Sequence, residues 1–407
     1  MCRIMCKSLV ILLSAVAFAI AAVDLRGQGR QVQIDDIVAR GERVFNVEVV
    51  SNDENLRNLL RRAFRTHGQF ALAEDRSRAD FVVEVVVQGE DRVRLRIQSG
   101  SPLQTLHEES VRGDSVRQAA LRAGDVAVRR TTGLPGYFSG RLAFIGQQSG
   151  HREVYTSDLF LGERRQLTTD RSKSVSPRWS PDGRRIIYTG YYRSGFPDIF
   201  VIDTAGMRRT PLVTFRGTNT GARFSPDGSR ISMVLSGEGT PEVYVADASA
   251  RNARRLTRTG GSVQSSPTWS PNGRELIFVS DRDGRPQLYR MTAEGENMRR
   301  IPTDISRYCA EPDWNPVDPN QIAFTAAVGG RFAVAVYDFS TRQSRFVTQG
   351  PQDAIEPRWT NDGRHLIYTL RSANQEVLAI LDTRTGKSTP LSDGSLGRLS
   401  QADFLMP

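Results

Sequence analysis

The 407-residue chain is 39% hydrophobic and 25% charged, the composition of a globular protein long enough for two or three domains. Its formal net charge is +10, yet residues 24–140 hold 18 Arg against 17 Asp and Glu, so most of the basic excess lies beyond residue 140. Arginines so dispersed, with no basic run interleaved with aromatics, point to surface chemistry and away from a nucleic-acid partner.

Taken from the start of the chain, Arg3 and Lys7 precede an apolar stretch, 9–19, and then the small residues Ala21 and Ala22. A charged start, a short apolar core and a small-residue exit predict a secretory signal peptide over 1–22, leaving a soluble protein outside the cytoplasm. Cys2 and Cys6 fall in that leader, and no cysteine sits at the cleavage site to take a lipid. Cys309 alone remains, so no intramolecular disulfide is expected; with no histidine near it in sequence, it reads as a packing residue.

Residues 23–133 predict a small α/β domain. Its first stretch, 23–38, carries Gly27, Gly29 and polar neighbours with little to bury, and is expected to be a mobile arm able to add to a partner's sheet edge. A generic strand, 44–50, follows. Leu56, Leu59, Leu60, Ala63 and Phe64 recur at helical spacing behind Asn52 and Asp53, with Gly68 as the expected stop. Phe81–Val87 is a continuous β-rich run, and Val93, Leu95 and Ile97 alternate with arginines across a turn, predicting a hairpin. A second helix starts near Asp114 and carries Val116, Ala119, Ala120, Ala123 and Ala127; a linker, 132–136, ends the domain.

From 137 to 407 the grammar changes to a strict repeat. Trp179, Phe224, Trp269, Trp314, Trp359 and Phe404 follow one another at intervals of 45 residues. After each of the first three comes a turn of the Ser-Pro-Asp-Gly kind, in which Pro pre-sets φ and Gly accepts a positive φ, and Asn315-Pro-Val-Asp and Thr360-Asn-Asp-Gly stand at the same place after the next two. Each unit reads as four strands, the signature of a propeller blade. The first unit lacks its aromatic-bearing strand, and the strand around Phe404 has nothing after it. The deficits match: the C-terminal strand should complete the N-terminal blade and close a six-bladed β-propeller, removing its exposed edges.

Catalytic motifs are missing. His67, His107, His151 and His365 fall in different elements without metal-ligand spacing, and there is no Gly-x-Ser-x-Gly elbow or phosphate-cradling loop. Asp281-Arg-Asp-Gly has the start of a calcium loop but not its remaining ligands, and reads as a turn. No cofactor, metal or enzyme activity is expected. An exported propeller enzyme and a small-ligand sensor are the competing readings. Binding is expected at the channel mouth opposite the Ser-Pro-Asp-Gly turns, where segments entering each first strand form a polar ring. Ser176, Thr218, Asn219, Ser265, Ser266, Glu311 and Glu356 are the candidate partner contacts, with the two glutamates contributing most. The bland alternative is that both glutamates only fix the entry turn through local backbone hydrogen bonds.

The repeated Trp-Ser-Pro-Asp-Gly turns, the stretch 279–289 (Val-Ser-Asp-Arg-Asp-Gly-Arg-Pro-Gln-Leu-Tyr) and the Arg141-Leu-Ala-Phe entry after the second helix resemble the TolB propeller family from about Leu56 onward. The resemblance implies a periplasmic, monomeric adaptor of the Tol-Pal system. It would bind the lipoprotein Pal through the propeller, sit at the outer membrane through Pal, meet TolA through its N-terminal region, and support membrane integrity and constriction at division. Two departures stand out. The family's Pal-contacting His matches Thr218 and its following Thr-Glu matches Ser265-Ser266, and the early Pro-Ile-x-Val-x-Pro-Phe stretch of the family is missing.

Overall fold

The computed structural model describes residues 43–406, so the leader and the arm at 23–38 lie outside the described residues. The described chain begins with strand β1 (Phe45–Ser51), helix α1 (Glu54–Thr66), β2 (Phe70–Leu72), β3 (Phe81–Val87), β4 (Arg92–Ser99), β5 (Gln104–Arg112) and helix α2 (Val116–Thr132). The five strands form one sheet in the order β2-β1-β3-β4-β5. Its two pairings through β1 are parallel and the other two antiparallel. Asp53 caps α1 by accepting the Leu56 N–H at 3.0 Å, and Ser115 caps α2 through the Gln118 N–H.

Helix α1 stops one residue before the expected glycine, and for a different reason. His67 is the cap, in an extended conformation. Gly68 is needed for close approach: a Cβ there would lie 2.2 Å from Thr385 Oγ1. Gly133, at φ 76°, is the left-handed cap of α2.

Six four-stranded antiparallel sheets follow. The aromatic-bearing inner strands of blades 2 to 6 are Ser174–Trp179, Asn219–Phe224, Gln264–Trp269, Cys309–Trp314 and Asp353–Trp359. Blade 1 takes Arg141–Gly146, Glu153–Asp158 and Arg165–Gln166 from its own segment and its inner strand, Leu399–Leu405, from the C-terminus. Phe404 pairs with Leu142. The ring therefore closes as the two deficits in the repeat require. Five of the six repeat aromatics are buried between blades, and Phe404 is partly buried against Gly140.

The α/β region packs on the turn end of blades 1 and 6. One apolar core runs from Leu60, Phe64 and Val128 through Phe138 to Phe144, Leu378 and Ile380. Polar bonds reinforce it. Arg117 holds Asp158 with two contacts of 3.1 Å, Asp125 accepts the Phe138 and Ser139 N–H groups, and Lys387 donates to the Phe70 carbonyl at 3.4 Å. Among the described residues no helix is long and apolar enough to cross a membrane.

Candidate partner-binding mouth of the propeller

Each inner strand enters at one end of the ring and reaches its aromatic at the other. The residue three before the aromatic has a positive φ in all six blades: Ser176 (55°), Gly221 (64°), Ser266 (50°), Glu311 (54°), Glu356 (58°) and Gln401 (57°). At each of these positions the register with the neighbouring strand slips, so every inner strand carries a bulge. A bulge kinks the strand and turns a peptide out of the ladder. Five of the six residues are not glycine, although the left-handed region costs an L-residue about 1–2 kcal/mol.

Part of that cost is offset by side chains reaching across the blade boundary. The Glu356 N–H donates to Glu311 Oε2 at 2.9 Å, the Gln401 N–H to Glu356 Oε2 at 3.1 Å, and the Ser176 N–H to Gln401 Oε1 at 2.9 Å. Thr325 and Thr369 hydroxyls donate to the same two carboxylates, at 2.7 and 2.9 Å. Glu311 and Glu356 thus make the backbone bonds of the bland reading, extended into a chain that links blades 5, 6, 1 and 2. Burial, and then the charge of Glu356, push Glu311 above the usual carboxylate range.

The other candidates divide in two. Asn219 is fully buried, with its amide nitrogen bonded to the Phe215 carbonyl at 2.8 Å and to Asp198 Oδ1 at 3.2 Å. It clamps the entry segment to the preceding blade, and its side chain is not presented at the mouth, which corrects the expectation for that residue. Thr218, Ser265 and Ser266 lie partly exposed on blades 3 and 4, as does Ser176 on blade 2.

Sequence reasoning missed the apolar part of this end. Phe196 is 68% exposed, Phe215 53% and Val263 45%. They sit in the blade 2 loop and in the connections entering blades 3 and 4, all at the entry end. Nothing periodic marks them; the available signal was a large apolar residue inside a Gly- and Arg-rich loop.

A second assembly lies at the opposite end, under the α/β region, where two histidines far apart in sequence meet with ring centroids 4.9 Å apart. Ligand atoms of His67, His365 and Asp382 all lie within 4.8 Å of one another, a convergence that chain spacing could not reveal. Their lone pairs are already committed. Asp382 Oδ2 accepts from the Gly68 N–H (3.0 Å) and from Arg364 (2.7 Å), and Oδ1 from the Arg384 N–H. His67 Nδ1 accepts the Gln69 N–H at 3.2 Å, so its proton is assigned to Nε2. His365 places Nδ1 2.6 Å from Asp362 and Nε2 3.4 Å from Asp382. Burial opposes charge on His365, but the two carboxylates outweigh it and hold the imidazole up at about 9. His67, buried and facing that imidazolium, is pushed well down. Two carboxylates, one guanidinium and one imidazolium balance, and the set suits an electroneutral joint better than a cation site.

Cys309 is buried beside Thr303 Oγ1 at 3.4 Å, with burial raising its thiol pKa, as a packing residue would be. At Asp281 the Gly284 N–H closes a turn at 2.7 Å.

The family model for the TolB beta propeller domain matches residues 128–400. Among curated proteins, the Tol-Pal system protein TolB of Anaeromyxobacter dehalogenans is 36% identical over 158 residues, 39% of this chain and 36% of the relative. That of Desulfosudis oleivorans is 34% identical over 134 residues, 33% of this chain and 30% of the relative. The matched stretches thus span about a third of those relatives. The crystal structure of TolB from Acinetobacter baumannii superposes with a TM-score of 0.78 over 89% of this chain and 96% of that one; at 24% identity this likeness speaks to the fold. With the propeller model matched over most of its length, the chain belongs to the TolB β-propeller family.

Proposed function

We propose that the chain is an exported, non-enzymatic adaptor of a Tol-Pal system that binds a Pal-type lipoprotein at the entry mouth of the propeller. The observation that carries this reading is the exposed apolar group of Phe196, Phe215 and Val263, set beside Thr218 and Ser265-Ser266 on consecutive blades. Large exposed apolar residues rimmed by polar groups mark protein-binding surfaces, and aromatic anchors supply most of the energy at such contacts. In this reading Glu311 and Glu356 shape the mouth through the bulges they fix, and blades 2 to 4 make the contact. Export, placement in the periplasm at the outer membrane through Pal, and support of constriction at division follow from family membership as proposals. A TolA contact through the N-terminal region belongs to the same proposal.

The test is calorimetric titration of the purified protein with the soluble domain of a peptidoglycan-associated lipoprotein. Binding is expected in the wild type, and Phe196→Ser with Phe215→Ser should weaken it about tenfold or more at an unchanged melting temperature. No binding by the wild type would sink the assignment of partner. Wild-type affinity in the double variant would move the site off this face.

A further inference from the structure

The residue just before each repeat aromatic points away from the blade seam and into the channel, because successive strand side chains alternate. In blades 2 to 6 and then blade 1 these residues are Arg178, Arg223, Thr268, Asp313, Arg358 and Asp403. All of these but Arg358 line, with the aromatics, a cavity of about 350 Å³ at the turn end of the channel, opposite the proposed partner mouth.

The charges in this ring do not balance: three guanidiniums face two carboxylates. Asp313 is committed on both oxygens, to Arg223 at 2.8 Å and to the Trp359 N–H at 2.8 Å. Asp403 Oδ2 accepts the Trp179 N–H at 2.8 Å. Arg178 and Arg358 are left over, although they are only 9% and 7% exposed. Each donates from Nη1 to the carbonyl of its own preceding proline at 2.7 Å. Among the described residues no carboxylate lies within ion-pair distance of either. Arg358 Nε has no acceptor, and neither has the indole N–H of Trp179 or Trp359. Burial pulls both guanidiniums below their ordinary range, with like charges in the ring adding to it. Buried cations and donors without partners are costly, and real sites supply the missing acceptor.

We propose that the turn-end cavity is a binding site for a small molecule bearing a phosphate or carboxylate group, held by Arg178, with the positive charge of Arg358 adding to the attraction. An oxyanion offers several acceptor lone pairs to fork-shaped donors, and it neutralises the one excess positive charge of the ring. The cavity exceeds a bare phosphate, and its aromatic walls leave room for an organic part of the ligand. Entry is from the turn end, because Glu311 and Glu356 stand near the other mouth and repel an anion.

All four tryptophans of the chain line this cavity, so intrinsic fluorescence reads the site directly. The purified protein is titrated with sodium phosphate and with succinate at constant ionic strength held by sodium chloride. A saturable change in emission and a rising melting temperature are expected with at least one of the two, and which one identifies the group. Arg178→Gln should weaken that response about tenfold or more, and Arg358→Gln, which removes only a neighbouring charge, should weaken it less. In anion-free buffer both variants should melt no lower than the wild type, since each removes an unpaired buried charge. Arg178→Lys keeps the charge and loses the fork, so it should fold normally and bind more weakly. Absence of a saturable response to either probe would overturn the proposal. So would an equal response to chloride alone, or wild-type affinity in Arg178→Gln.

Discussion

The two ends of the propeller are held together by different chemistry. At the entry end, side chains of one blade accept backbone N–H groups of the next, and this chain stops short of the connections around Gly221 and Ser266. At the turn end, the α/β region is fastened by a shared apolar core and by buried charges on Asp362, Arg364, His365 and Asp382. The first arrangement ties only half of the rim and leaves the rest free to meet a partner. The second makes a joint whose strength depends on protonation. Each arrangement has its own way of being broken.

The largest effect is expected where both ends are struck at once. Deleting residues 399–407 removes Gln401 from the entry-end chain and the buried Leu399 and Ala402, with Phe404, from blade 1. Loss of one buried large apolar side chain costs about 2–5 kcal/mol, and the deletion also opens a sheet edge. A melt of the truncated protein should show loss of cooperative unfolding or a much lower midpoint. Unchanged melting would mean that the ring does not depend on its closing strand.

The turn-end joint should weaken on the alkaline side. The folded pKa of His365 is about 9 against an ordinary 6.5. Its contribution is therefore complete below about pH 6.5 and is lost as pH rises through 9, up to about 3 kcal/mol. Asp362 and Asp382, held below the ordinary range mainly by His365 against their burial, work in the opposite sense: their contribution is present above about pH 4 and falls away on acidification. Melting temperature against pH should fall between 6.5 and 9.5, and in His365→Gln that alkaline slope should flatten. A slope unchanged in the variant would remove His365 from the joint.

Within the entry-end chain the two glutamates should differ in sign. Glu356 uses both oxygens, Oε1 accepting Gln401 Nε2 at 2.8 Å, so an amide sets N–H against N–H; Glu356→Gln should cost about 1–2 kcal/mol. Glu311 Oε1 takes no hydrogen bond among the described residues, and its charge is disfavoured by burial and by Glu356. Glu311→Gln can keep both bonds through one carbonyl and should leave the protein as stable or more so. Equal losses in the two variants would argue against a chain built on these oxygens.

How much of this could be read beforehand depends on the range of the interaction. The repeat, its closure by the strand around Phe404 and the elements near Leu56 and Val116 were legible because they rest on period and local spacing. Asn219 misled because polarity in a loop does not tell a clamp from a contact; its partner Asp198 belongs to another blade. His67 and His365 looked unrelated because 298 residues separate them in sequence, and only the packing of α1 on blade 6 brings them together. The bulges were hidden for another reason. Glu, Gln and Ser are poor left-handed residues, so no propensity announced a positive φ at Glu356 or Gln401. The stabilising bonds come from the neighbouring blade.

That last point yields the smallest and most discriminating effect. Ser266 holds φ 50° on the open half of the rim and shares its position with Gly221 one blade earlier. No chain of the Glu356 kind reaches through it. Replacing it by glycine relieves the left-handed strain but frees the unfolded chain, two terms of about 1 kcal/mol each and of opposite sign. Ser266→Gly should therefore change stability by less than about 1 kcal/mol. The same substitution at Glu356 discards the acceptors for the Gln401 N–H and the Thr369 hydroxyl and should cost about 2 kcal/mol or more. Urea unfolding of the two glycine variants side by side measures the difference. If both fall equally, the rim is held alike all round, and blades 2 to 4 have no special freedom to offer a partner.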